Sequence, residues 1–211
     1  MADERPLVFV VDDDAAVCTA LKRLVQSVGL QAQTFTSARD FLQVRPPDVP
    51  ACLILDIRLP DVSGLNLQQK LAESNIDLPI IFLTGHGDIP MTVSAMKAGA
   101  LEFLTKPVRD QDLLDAIQRG IEQHRLRLVR RAESSELERR YHSLTPRERQ
   151  VFPMVTSGLL NKQIAAELGA SEKTIKIHRG QVMVKMKAGS LADLVRMAEK
   201  LRLAPLHEPA A

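Results

Sequence analysis

The sequence predicts an α/β fold, a doubly wound five-stranded parallel sheet, followed by an all-α domain of four helices. Two observations carry this. Five short apolar runs alternate with five helical patterns over about the first 120 residues, the pattern of a parallel sheet with covering helices. Beyond Leu144 there follow four helical patterns instead, three of them opened by a capping Thr or Ser.

The first run, Leu7-Val8-Phe9-Val10-Val11, ends in Asp12-Asp13-Asp14. Val17, Leu21, Leu24, Val25 and Val28 then show helical spacing, and Gly29 stops the helix. Gln31 to Phe35 predicts a second strand, and Ser37 caps a short helix from Ala38 to Val44. After Pro46-Pro47 comes Cys52-Leu53-Ile54-Leu55, which runs into Asp56 and turns at Pro60 and Gly64. So short an apolar run, ended by turn residues, reads as a strand buried on both faces. Leu65, Leu67, Leu71 and Ala72 predict the third helix. Pro79 to Thr84 is a fourth strand, followed by a helix through Met96. Leu101 to Thr105 is a fifth strand closed by Lys106-Pro107, and Leu113, Leu114, Ile117 and Ile121 line the fifth helix. Residues 123–142 contain no Gly or Pro and mix Arg125, Arg127, Arg130 and Arg131 with Glu133, Glu136 and Glu138, which reads as a solvated continuation of that helix. Its apolar stripe is too broken for a coiled coil.

Thr145-Pro146-Arg147-Glu148 is a capping-box start with proline in the first turn. Asn161 to Leu168 forms a short helix ended by Gly169, Ser171 caps the next through Met186, and Ser190 starts the last. Two helices joined by a short Gly-containing turn are a helix-turn-helix signature. The divisions are therefore 1–122, a helical linker 123–142, and 143–211.

Composition agrees with two domains of different character. The 211 residues are 45% hydrophobic and 26% charged, as in ordinary water-soluble proteins. No apolar run approaches the roughly 18 residues of a spanning helix, and the polar Met1–Pro6 does not resemble a signal peptide. A cytoplasmic protein with Cys18 and Cys52 reduced and buried is expected. Residues 1–122 carry 11 Lys+Arg and 17 Asp+Glu, a charge of −6, whereas residues 123–211 carry 17 and 9, a charge of +8. A basic rear half suits a nucleic-acid partner.

In a parallel sheet Asp12, Asp13, Asp56, Thr84 and Lys106 all fall at the carboxyl ends of strands, where such folds open their ligand crevice. Clustered carboxylates call for a cation, and hard oxygen ligands suit Mg²⁺. A carboxylate nucleophile, a divalent ion, a lysine and a hydroxyl together suit phosphoryl transfer to Asp56. Gly85-x-Gly87 after a strand lacks the third glycine and the acidic partner of a dinucleotide loop.

Residues 7–122 resemble the CheY-like receiver domain of two-component response regulators. The carriers are Asp12-Asp13, Asp56-x-x-x-Pro60-x-x-x-Gly64, Thr84-Gly85 and Lys106-Pro107. Gly85-His86-Gly87-Asp88-Ile89-Pro90-Met91 is similar to the FixJ and StyR branch. The resemblance implies that Asp56 is the phosphoacceptor. It also implies that Asp13, Asp56 and the main-chain carbonyl of Arg58 bind Mg²⁺ or Mn²⁺, that Asp12 acts largely through water, and that Lys106–Pro107 is cis. Thr84 and Lys106 would stabilise the phosphoryl group, and Phe103, where relatives often carry tyrosine, would move inward behind Thr84. The helix 89–98 and strand 101–105 would carry the change to a homodimer face.

Residues 143–201 resemble the LuxR/FixJ-type DNA-binding domain through Leu144-Thr145-x-Arg147-Glu148, Gly158-Leu159-x-Asn161-Lys162-x-Ile164-Ala165 and Leu168-Gly169-x-Ser171-Glu172-Lys173-Thr174-Ile175-Lys176-x-His178-Arg179. This implies a recognition helix from Lys173 to Lys185 and pairing of DNA-bound protomers through the last helix. Lys162, Lys173, Thr174, Lys176, Ile177, His178, Arg179 and Lys185 are the expected DNA contacts. Pro153 is expected to kink or end its helix, and Gly180 weakens the recognition helix and removes a side chain from its DNA side.

The chain is thus expected to be a non-enzymatic response regulator. A sensor histidine kinase would phosphorylate Asp56, and the phosphorylated dimer would bind promoter DNA, engage RNA polymerase and regulate transcription. An aspartate-nucleophile phosphatase of the dehalogenase type needs a second aspartate two positions after the nucleophile, where Arg58 stands. A receiver acting on a protein partner instead of DNA is the alternative, separable by salt-dependent duplex binding.

Overall fold

The structure is a computed structural model describing residues 5–44, 48–85 and 88–201. The Pro46-Pro47 break, His86-Gly87 and both chain ends lie outside the described residues. The chain divides into two compact units, Met1–Val129 and Arg130–Ala211.

In the first unit β1 (Leu7–Val11), α1 (Ala15–Ser27), β2 (Gln31–Phe35), α2 (Ala38–Leu42), β3 (Ala51–Leu55), α3 (Gly64–Glu73), β4 (Ile80–Thr84), α4 (Ile89–Lys97) and β5 (Glu102–Thr105) alternate in sequence. The strands form one sheet in the order β2-β1-β3-β4-β5, every pair parallel. All residues of β1, β3 and β4 are buried. Their alternate side chains enter different cores. Phe9, Leu53, Leu55 and Phe82 pack with Phe41 of α2, Leu67 and Leu71 of α3, and Ala95 of α4. Val8, Val10, Ile54 and Ile81 pack with Cys18, Leu21 and Val25 of α1 and with Leu113 and Ile117 of the next helix, α5 (Asp110–His142). Helices thus cover both faces, as the unbroken apolar runs require. Cys18 and Cys52 are free and buried, and burial pushes the Cys52 thiol up to about 12.

The second unit contains the end of α5 with α6 (Pro146–Thr156), α7 (Asn161–Glu167), α8 (Glu172–Met186) and α9 (Leu191–Lys200). Leu137, Leu144, Val151, Phe152, Ile175, Val182 and Leu194 share its core, and the Tyr141 and Phe152 rings meet edge-on at 5.5 Å. Leu137 and Tyr141 of the linker segment therefore pack into this core, while Glu138, Arg139 and His142 stay exposed. Helix α6 does not end at Pro153: it continues to Thr156. Val151, Phe152, Met154 and Val155 are all buried around the proline, and this packing offsets the backbone bond that proline cannot donate. No described helix is long and apolar enough to cross a membrane.

Candidate functional site

The acidic run after β1 separates into three roles. The Asp14 side chain caps α1, accepting from the amides of Ala16 at 2.7 Å and Val17 at 3.4 Å. Asp13 is exposed. Asp12 is buried, and its oxygens accept from the Asp14 amide at 3.0 Å and the Lys106 Nζ at 2.5 Å. The register of β1 and β3 holds Asp56 beside it, the Asp56 amide donating to the Val11 carbonyl at 2.9 Å. The Asp56 carboxylate accepts from Lys106 Nζ at 3.1 Å and from the Arg58 amide at 3.3 Å. Lys106 is placed in turn by its amide, which donates to the buried Thr84's carbonyl at 2.8 Å, and the Lys106–Pro107 peptide is cis.

Electrostatics follow from this packing. Burial raises the Asp12 carboxyl above its ordinary value, although Lys106 and the Asp14 amide pull the other way. Burial alone would lower Lys106, but its hydrogen bonds to Asp12 and Asp56 outweigh it and its ammonium is held above the usual range. Carboxylate oxygens of Asp12, Asp13 and Asp56 lie within 4.8 Å of one another. Three carboxylates against one lysine leave an excess of negative charge, and an all-oxygen donor set fits Mg²⁺. Arg58 turns its side chain to solvent. Phe103 is half-buried beside Phe82, with ring centroids 6.1 Å apart.

In the second unit Ser171 caps α8, accepting from the Thr174 amide at 3.1 Å, and the two hydroxyls pair at 2.8 Å. Lys162, Lys173, Thr174, Lys176 and Ile177 are exposed. Lys185 differs from the expected arrangement. It is half-buried and its Nζ donates at 2.7 Å to the buried Glu148, which also accepts from the Thr145 amide at 2.7 Å in the capping box of α6. Arg179 and His178 are half-buried, and Arg179 donates to Asn161 Oδ1 at 3.4 Å. The basic residues of α8 thus divide between outward and inward faces.

Three further residues bind distant elements without any local sequence signal. Asp61 accepts from the amides of Ala38 and Arg39 at 3.3 and 2.9 Å, a second cap on α2. His124 Nδ1 accepts from the Ala51 amide at 2.9 Å, fixing the start of β3. Gln68 donates from α3 to the carbonyls of Ala95 and Ala98 at the end of α4, at 3.3 and 3.1 Å.

Residues 8–118 match the response regulator receiver domain, and residues 142–198 match the luxR family of bacterial regulatory proteins. The chain is 52% identical over 206 residues to nodulation protein W of Bradyrhizobium diazoefficiens, covering 98% of this chain and 91% of that protein. It is 48% identical over 202 residues to the response regulator protein TmoT of Ectopseudomonas mendocina, covering 96% and 92%. It is similar to the solved structure of the response regulator StyR, at 49% identity and a TM-score of 0.85, over 93% of this chain and 99% of that one. With its parallel sheet, its acidic crevice and its capped helix-turn-helix, the chain belongs to the two-component response regulators that join a receiver domain to a LuxR-type DNA-binding domain and regulate transcription.

Proposed function

We propose that a sensor histidine kinase phosphorylates Asp56, and that this drives homodimerisation and sequence-specific promoter binding that activates transcription with RNA polymerase. The observation that supports this most is the setting of Asp56, a buried carboxylate held between Lys106 and the Arg58 amide beside Asp12 and Asp13. One Asp56 oxygen forms the new O–P bond as the kinase's phosphohistidine P–N bond breaks. Asp13, Asp56 and the main-chain carbonyl of Arg58 would hold Mg²⁺ or Mn²⁺, with Asp12 contributing through water. Such an ion would supply positive charge toward the phosphoryl oxygens. Lys106 bears on the same oxygens once its bond to Asp56 loosens, and Thr84 at the end of β4 donates a hydrogen bond. The added −1.5 to −2 charges, roughly, bias Thr84 and then Phe103 toward an inward state.

In this reading residues 1–122 receive the signal, 123–142 link, and 143–211 bind DNA in the cytoplasm. Lys162, Lys173, Thr174, Lys176, Ile177, His178 and Arg179 make the DNA contacts, and Lys185, tied to Glu148, positions the helix. Incubation with acetyl phosphate and Mg²⁺, read by intact mass, tests the first step. The native protein gains one phosphoryl group and Asp56→Asn gains none; equal labelling of the variant would remove Asp56 as the acceptor.

A further inference from the structure

On α8 the core face is Ile175, Val182 and Met186, all buried. At about 100° per residue, Lys173, Ile177, Gly180 and Val184 fall on the opposite, outward side. Two of these are apolar and well exposed, Ile177 at 58% and Val184 at 72%. Between them, three and four residues away and so adjacent on the helix surface, stands Gly180.

The fold gives no reason for a glycine there. A Cβ built on Gly180 meets nothing within 4 Å, and the residue is not among the glycines of positive φ. Alanine would fit and would strengthen the helix. Exposed Ile and Val are likewise unfavourable on a solvated helix, and an apolar strip rimmed by Lys173 and Lys176 marks a binding surface for an anion-bearing partner. Duplex DNA presents both parts of that chemistry, phosphates at the rim and the thymine 5-methyl group inside the major groove.

We propose that Gly180 is a specificity-determining residue: it opens a notch walled by Ile177 and Val184 that receives a thymine methyl group. This rests on α8 being the helix that reads DNA. An alanine at 180 fills the notch, whereas a polar side chain there would reach for a different base edge.

The full-length protein, phosphorylated with acetyl phosphate and Mg²⁺ and checked by intact mass, is used to enrich duplexes from a pool with a randomised centre, and each thymine of the enriched site is then replaced by deoxyuracil, which removes only the methyl. Affinities are measured at one fixed salt concentration. At one position per half-site the replacement weakens the native protein about fourfold, the equivalent of one buried methyl. Gly180→Ala binds the thymine duplex several-fold more weakly and loses nothing further with uracil, while unfolding at higher denaturant than the native chain. Uracil replacements without effect at every position, an enriched site lacking thymine, or undiminished binding by Gly180→Ala overturns the proposal and leaves the DNA-reading role of α8 standing. A native protein that enriches no sequence overturns both.

Discussion

Gly64→Ala tests how the chain holds Asp56 in place. Gly64 is the first residue of α3, and its amide donates to the Ile57 carbonyl at 2.8 Å. A Cβ there would lie 2.4 Å from the main-chain oxygen of Asp56 and 2.9 Å from the Ile57 Cα. Both are backbone atoms, so no side-chain rotation relieves the overlap. Ordinary contact begins at 3.4 Å, and helix and strand end must separate by about 1 Å. Overpacking of this kind costs about 1–3 kcal/mol, against at most about 1 kcal/mol gained by alanine over glycine in a helix. A net destabilisation of about 1–2 kcal/mol follows. With a urea m-value of about 2 kcal/mol/M the receiver transition falls by about 0.5–1 M. The same shift moves Asp56 relative to Lys106, now 3.1 Å away, and misplacement on that scale slows phosphoryl transfer by about 10- to 100-fold. Urea unfolding followed by circular dichroism and a time course of acetyl-phosphate labelling give both numbers. A variant with native midpoint and native labelling rate would refute the claim that α3 is seated directly on the Asp56 backbone.

Two further predictions concern buried ionisable groups. Lys185→Met leaves Glu148 buried without its cation and should destabilise the helical domain by about 1.5–3 kcal/mol, measured by denaturant unfolding, with Glu148→Gln in the same chain restoring part of the loss. Despite burial, Lys185 and the Thr145 amide hold the Glu148 carboxyl below its ordinary 4.5, so this stability is present above that pH, is lost as pH falls through the lower folded value, and is lost less in the double variant. Burial holds His124 below its ordinary 6.5, with Asp77 opposing and Arg127 assisting. The folded receiver therefore binds fewer protons than the unfolded chain just below that pH, and its stability should fall on acidification with a slope of at most about 1.4 kcal/mol per pH unit. His124→Asn should flatten that slope in unfolding curves taken between about pH 5 and 7.5; an unchanged slope would show that His124 is not the titrating group.

The strands and their order of burial were legible because β1, β3 and β4 are central and apolar on both faces, so continuous runs mark them without ambiguity. The acidic crevice was legible for a topological reason: parallel strands bring Asp12, Asp56, Thr84 and Lys106 to one end whatever lies between them. Caps at Ser37, Thr145, Ser171 and Ser190 are local and were readable as well. What the residues alone could not reveal depends on partners remote in sequence. Lys185 looks like any basic residue of a recognition helix until Glu148, 37 positions earlier, is found against it. Pro153 reads as a helix breaker until the buried residues around it are counted as support. The glycines make the point most sharply. Gly64, read as a turn residue, and Gly180, inside a predicted helix, are the same residue type, yet a methyl at one strikes the Asp56 backbone and at the other meets open space. The first is demanded by the interior, whereas nothing among the described residues demands the second. Replacing both by alanine should therefore shift stability in opposite directions, and the opposite signs separate a residue kept for packing from one kept for a partner.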